Sequence, residues 1–247
     1  MSSHQPESPR PAFYALTGGG WRDLVTLLHP PYTAWLLSYV AIGAAVAPRF
    51  HLDRLGAVLA AFLLAVGISA HAFDELHGRP LGTRLSKTTL IVLATTTLAG
   101  AIAIGAVAAI RVSPLIVPLI VIGAVLVPAY NLELAGGRFH NATTFALAWG
   151  AFPAFTGYFF ESLTVRAPGV LVAAACALLT VAQRRLSLPA RDLRRRTRAL
   201  SGSQVLEDGS RIELTAGALL VPLEGALRAL SGGIVLLAVG LVTLRIS

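Results

Sequence analysis

Long stretches without Lys, Arg, Asp or Glu, separated by short polar clusters, set the rhythm of this chain. They cover residues 30–48, 56–73, 88–110, 112–132, 141–160 and 167–183. Each reaches the ~17 to 25 residues that a helix needs to cross a hydrocarbon core, so the pattern predicts six spans. The tail, 214–244, is also mostly apolar but contains Glu224, Arg228 and the Ser231-Gly232-Gly233 break. As one helix at ~1.5 Å per residue it would be too long for one upright span, and two short helices are expected. Backbone groups in lipid must be satisfied internally, and apolar runs this long exclude the alternation of a β-barrel. The expected fold is therefore all-α, a polytopic transmembrane bundle of about eight to nine helices.

Ahead of the first span, WRDLVTLL (21–28) puts apolar residues at helical spacing with Arg22 and Asp23 on the polar side, a short helix lying in the interface. HPPYTAW (29–35) then turns the chain inward. This divides the chain into a tail with an interfacial helix, 1–29, and a bundle, 30–247. Span four carries Pro114, Pro118 and Pro128, and span five Pro153 and Gly157. Proline at membrane depth is tolerated where neighbouring helices or water take up the freed carbonyl, so these two spans are expected to line a cavity.

Composition agrees. Hydrophobic residues make up 55%, charged residues 13%, and mean hydropathy is +0.71, which excludes an ordinary aqueous domain. The first ten residues, MSSHQPESPR, lack the basic flank and apolar core of a secretory signal, and the single cysteine, Cys176, lies mid-span and allows no intrachain disulfide.

The net charge of +8 would raise nucleic acid as a partner for a soluble protein, but here the positions of the cations decide otherwise. With the N-terminus in the cytoplasm, Arg10, Arg22, Arg79, Arg84, Lys87, Arg138, the run 184–198 and Arg211 fall on that side. Arg49, Arg54, Arg111, Arg166 and Arg228 fall on the other, and a paired tail returns Arg245 to the first. That asymmetry fits the positive-inside rule and points to an integral protein of the cell membrane, contacting lipid and not nucleic acid. The run QRRLSLPARDLRRRTR (183–198) either fixes topology against anionic headgroups or clamps a diphosphate, since arginine pairs bidentately with phosphate oxygens.

Candidate chemistry is concentrated in the three even-numbered connections. AHAFDELHGRP (70–80) sets His71, Asp74 and Glu75 at i, i+3 and i+4, on one helical face that can hold a metal. The carboxylates suit Mg²⁺, and the imidazole shifts preference toward Zn, Fe or Mn. His77, Glu133 and His140 join only if the fold brings the loops together. The plain alternative is that Asp74, Glu75 and Arg79 are interface charges and His71 a satisfied helix-end residue. PAYNLELAGGRFHN (128–141) emerges on the same side, and the arginine run is the third cluster.

This layout resembles the UbiA superfamily of intramembrane prenyltransferases from about His29 to the tail. Members begin with Arg-Pro before the first helix, here His29-Pro30. They carry an NDxxDxxxD-type motif after helix two, here HAFDELHGRPLGTR with Asp74 the matching carboxylate. After helix four they show a tyrosine, a lysine and a Pro/Gly-patterned helix, here Tyr130 with Glu133 near the lysine, then Gly150, Pro153 and Gly157. The resemblance implies about nine helices around a cavity in which Mg²⁺ bridges aspartate-rich loops and an isoprenoid diphosphate, and transfer of the isoprenyl group to a lipophilic acceptor. It implies His71, Asp74, Glu75 and Asp192 as metal ligands. Arg79, Glu133, Arg138, Arg191 and Arg194 would contact substrate, and Asp74, Tyr130 and His140 would act at the reacting centre. The sequence departs from the family in having few carboxylates, Asp192 standing alone in the second motif. Arginines then replace much of the metal's charge, or the scaffold carries another reaction. The alternatives are a different metal-dependent membrane enzyme, with His71, Asp74, Glu75, His77, Glu133 and His140 as a mixed site, and a non-enzymatic lipid-binding protein.

Overall fold

The computed structural model describes residues 11–16 and 18–247; Arg10 and the rest of MSSHQPESPR lie outside the described residues. Eight helices account for most of them. They are α1 (Trp21–Leu27), α2 (Pro30–Ala45), α3 (Leu52–Leu76), α4 (Lys87–Arg111), α5 (Pro114–Asn131), α6 (142–162), α7 (Ala167–Arg195) and α8 (Ala216–Ile246). Between α7 and α8 lies a small antiparallel hairpin, β1 (Ser203–Val205) with β2 (Arg211–Glu213), in which Gln204 is paired with Ile212.

Five helices, α3, α4, α5, α7 and α8, are long and apolar enough to cross a membrane. Their outward faces carry Ile110, Val121, Leu178, Val221, Leu236 and Leu244, all exposed. An apolar girdle of this extent suits hydrocarbon and not water.

The other two long helices, α2 and α6, form the centre of the bundle and pack against each other along their length. Two glycines allow it. A Cβ at Gly43 would sit 1.9 Å from the Ala154 carbonyl oxygen, and one at Gly157 would sit 2.1 Å from the Val40 carbonyl oxygen. Small residues let backbones approach this closely, the usual basis of helix association where water supplies no hydrophobic drive. Helices α3, α4 and α5 pack on one side of this pair, α7 and α8 on the other.

The structure corrects four expectations. The tail is one helix, α8, with Pro222 inside it and no break at Gly232-Gly233, where the helix is open on the outside. Helical glycine costs only ~1 kcal/mol relative to alanine, and Glu224 is satisfied by Arg194, so neither feature forces a turn. With seven long helices, Arg245 therefore lies at the end opposite to the arginine run, stacked over Phe50 in the α2–α3 connection. Arg228 lies instead toward the run's end, over Phe13 and 3.9 Å from Glu224. Finally, Asp23 does not face solvent: it is buried and accepts a hydrogen bond from the Arg84 N–H, tying α1 to the α3–α4 loop.

Candidate functional site: an arginine-rimmed cavity

The α3–α4, α5–α6 and α7–β1 connections gather at one end of the bundle, and the decisive element there is α7. This helix continues past its apolar stretch through the arginines to Arg195, putting Arg184, Ser187, Leu188, Arg191 and Arg195 on one face at helical spacing. That face closes one wall of a cavity of about 470 Å³, within the range of small-molecule sites. His29, just ahead of α2, Tyr32 and Trp35 of α2, His71 and Asp74 of α3, and Tyr130 and Asn131 of α5 form other walls.

The segment Pro11–Leu16 lies against the mouth. The Pro11 carbonyl accepts from Arg195 Nε (2.9 Å), the Leu16 N–H donates to Thr26 Oγ1 (3.1 Å), and Tyr14 stacks on His29 at 4.3 Å between ring centroids. Burial pushes the Tyr14 hydroxyl pKa well up. Burial, then the neighbouring His71 and the Arg195 and Arg191 guanidiniums, holds His29 well below the usual imidazole range, so it is neutral at pH 7.

Deeper in, the wall becomes aromatic. Tyr130 stacks on His140 at 4.6 Å and meets Trp149 edge-on at 5.6 Å, Tyr32 faces Phe145 at 6.3 Å, and Arg184 lies over the Phe145 ring at 4.8 Å. Val66 and Trp149 line this cavity and also a second, apolar pocket of about 120 Å³ among α3, α4, α5 and α6. Both residues sit where their helices loosen into π-helical turns, over 63–70 in α3 and 147–151 in α6. Such turns reshape a helix locally and recur at functional sites. The prolines of α5 and α6 thus belong to cavity-lining helices, as expected.

Several buried polar atoms here have no hydrogen-bond partner among the described residues: Tyr14 Oη, His29 Nδ1, Tyr32 Oη, His71 Nε2 and Gln183 Oε1. All five residues line the cavity. A buried polar group left unpaired costs ~1–3 kcal/mol, so five together are expected only where a bound molecule or water completes them.

Of the residues singled out in the sequence, His71, Asp74, Tyr130, His140, Arg191, Asp192 and Arg194 do line this cavity. Others do not. Glu75 is fully buried beside it and accepts from the Leu81 N–H (3.0 Å), the Thr83 N–H (2.7 Å) and Thr83 Oγ1 (2.9 Å). Its carboxylate organises the α3–α4 loop, so it does not share a ligating face with His71 and Asp74. Arg79 folds back onto the Thr83 and Leu85 carbonyls, both at 2.9 Å. Glu133 is half-exposed at the rim, 3.7 Å from both His77 Nε2 and His140 Nδ1, and Arg138 is exposed and outside the lining. Arg194 is held by Glu224, and Asp192 by Arg196 at 3.4 Å.

This donor set does not fit the expected Mg²⁺ site. Among the described residues no three His, Cys, Asp or Glu side chains gather closely enough to hold a metal ion. The cavity carboxylates are Asp74, Asp192 and Glu224, and the last two face arginines. Magnesium bridging a diphosphate uses carboxylates and phosphate oxygens, and this wall offers guanidiniums in their place.

The sequence did not single out Tyr14, His29 and Tyr32 as site residues, and it offered Gln183, Arg184 and Arg195 only as members of the run 183–198. The arginines were legible by helical spacing, 184, 191 and 195 repeating at i, i+7 and i+11; the others needed the tertiary fold. Compared with models of known protein families, with curated proteins and with solved structures, the chain matches none.

Proposed function

We propose that this chain is a multi-pass membrane protein, with its N-terminus and cavity facing the cytoplasm, that transfers an isoprenyl group from an allylic diphosphate to a lipophilic acceptor. The observation that carries the reading is the continuity of an arginine-rimmed polar cavity with an apolar pocket across Val66 and Trp149. An anionic headgroup and a hydrocarbon tail need those two environments side by side. The proposed orientation is supported by the cations: Arg22, Arg79, Arg84, Lys87, Arg138 and the run to Arg198 belong to the cavity end, while Arg49, Arg54, Arg111, Arg166 and Arg245 belong to the other.

In this reading the diphosphate sits against Arg184, Arg191 and Arg195, whose N–H groups match its oxygens. The allylic C–O bond breaks and its electron pair leaves with the diphosphate. Fixed guanidiniums stabilise the departing charge in place of a metal. Tyr32, Tyr130, Phe145 and Trp149 line the cavity in which the allylic cation forms, and aromatic rings attract positive charge. The acceptor's electron pair forms the new bond to the allylic carbon, and the proton it loses passes to the Asp74 carboxylate. The UbiA-like order of helices and polar loops supports the same reaction class.

The test is release of diphosphate by purified protein from geranyl, farnesyl and geranylgeranyl diphosphates with membrane quinols present. Release that survives EDTA and falls more than ~10-fold in Arg184→Gln/Arg191→Gln agrees with loss of one to two charge-assisted contacts. No release from any donor overturns the reading.

A further inference from the structure

Four of the unpartnered polar atoms belong to one connected group of rings. Tyr14 lies against His29, His29 against Tyr32 at 5.6 Å and His71 at 5.1 Å, and Tyr32 against His71 at 6.0 Å. Tyr14 Oη, His29 Nδ1, Tyr32 Oη and His71 Nε2 are all closed off from solvent, and His71 is 9% exposed as a whole. The rings pack on one another, so the group is built and not accidental, yet its hydrogen-bonding capacity is unused within the described residues.

The chemistry of that capacity selects a ligand. Phenol hydroxyls donate and accept, and a neutral imidazole offers one donor and one acceptor nitrogen. No member of the group carries a fixed positive charge; the nearby cations, Arg191 and Arg195, belong to the α7 wall, and Asp74, one helical turn beyond His71, opposes an anion among the rings. The arginines stand on the α7 wall and serve the anionic head. We propose that the Tyr14, His29, Tyr32 and His71 cluster is a second subsite of the cavity, binding the uncharged hydroxyl oxygens of an electron-rich acceptor of the kind a quinol carries, for which the quinone is an oxidised, unreactive analogue. It rests on the transferase reading and specifies the acceptor. It also gives the Pro11–Leu16 segment a role, since Tyr14 completes the subsite only while that segment is held by Arg195 and Thr26.

Trp35 and Trp149 line the same cavity, which provides the readout, whereas Trp21 is 65% exposed and is best removed. In a Trp21→Phe background, saturable quenching of tryptophan fluorescence by 1,4-naphthoquinone measures occupancy. Tyr14→Phe and Tyr32→Phe remove only hydroxyls that have no partner among the described residues, so the fold and melting temperature are retained. Each is expected to weaken quinone binding about 3- to 10-fold, the worth of one hydrogen bond, and His71→Phe to weaken it at least as much. Arg191→Gln weakens farnesyl diphosphate binding and leaves quenching unchanged. Equal quenching in the parent and in all three ring variants, or quenching that rises linearly without saturating, overturns the subsite. Farnesyl diphosphate binding reports separately on the transferase reading, so failure of one is distinguishable from failure of the other.

Discussion

Arg194 grips both oxygens of Glu224, through Nε to Oε1 and Nη2 to Oε2 at 2.9 Å, and so fastens α7 to the first half of α8. The Glu224 side chain is 9% exposed, and Arg228, 3.9 Å away, is its second cation. Arg194→Met or Glu224→Ala is expected to cost ~1–3 kcal/mol, the loss of a charge-assisted pair that is only partly buried, seen as a lower thermal midpoint in detergent. Replacing both with apolar residues of similar volume should recover most of it. A single variant that melts with the parent contradicts the pairing.

Glu75 is expected to behave as a structural residue. Glu75→Ala leaves the Leu81 and Thr83 N–H groups and the Thr83 hydroxyl without their acceptor, for a loss of ~2–4 kcal/mol and faster proteolysis within residues 77–86. The thermal midpoint of the parent should be the same in Mg²⁺ and in EDTA. A midpoint raised by Mg²⁺ in the parent and not in Glu75→Ala restores Glu75 as a ligand.

At the α2/α6 contact, Gly43→Ala and Gly157→Ala each place a methyl group inside a facing backbone carbonyl. Overpacking costs ~1–3 kcal/mol where neighbours can move, and more here because backbone must give way. Gly240→Ala, on the open outer side of α8, is the control and is expected to be neutral or slightly stabilising. Equal yields and midpoints for all three would contradict the close approach.

One tail helix in place of two changes the topology. At 31 residues and ~1.5 Å per residue, α8 is ~46 Å long and runs from the cavity end to the opposite end. In a Cys176→Ala background, Ser247→Cys is expected to react with an impermeant maleimide from the same side as Thr164→Cys, and Ser201→Cys from the other. Labelling of Ser247→Cys and Ser201→Cys from one side would mean two crossings.

Much of the scaffold was written in the spacing of charges. The six apolar windows became α2 to α7 because backbone in such a stretch has no partner except itself. The end at which chemistry gathers followed from the same pattern, and His71, Asp74, Tyr130, His140 and Arg191 all arrived at the cavity. What failed was local. Glu75 is one residue from Asp74, but its partners come from a turn with Gly78, Arg79 and Gly82 at positive φ, which no periodicity foretells. Asp23 was assigned to the polar face of α1 although Arg84, distant in sequence, buries it. His29 and Tyr32 read as residues of a turn, His29 also as the counterpart of the family's arginine, and Tyr14 as part of the N-terminal tail. Only tertiary packing makes them neighbours of His71.

The most direct measurement of the account is equilibrium binding of radiolabelled farnesyl diphosphate to the purified protein in EDTA, competed by unlabelled farnesol. The head and the tail are then weighed separately. The prediction is saturable binding that farnesol displaces only at about 100-fold higher concentration, with Arg191→Gln/Arg195→Gln weakening the diphosphate at least ~30-fold, as expected for lost charge-assisted hydrogen bonds. Farnesol competing as well as the diphosphate, or the double variant binding like the parent, would contradict the arginine-rimmed headgroup site.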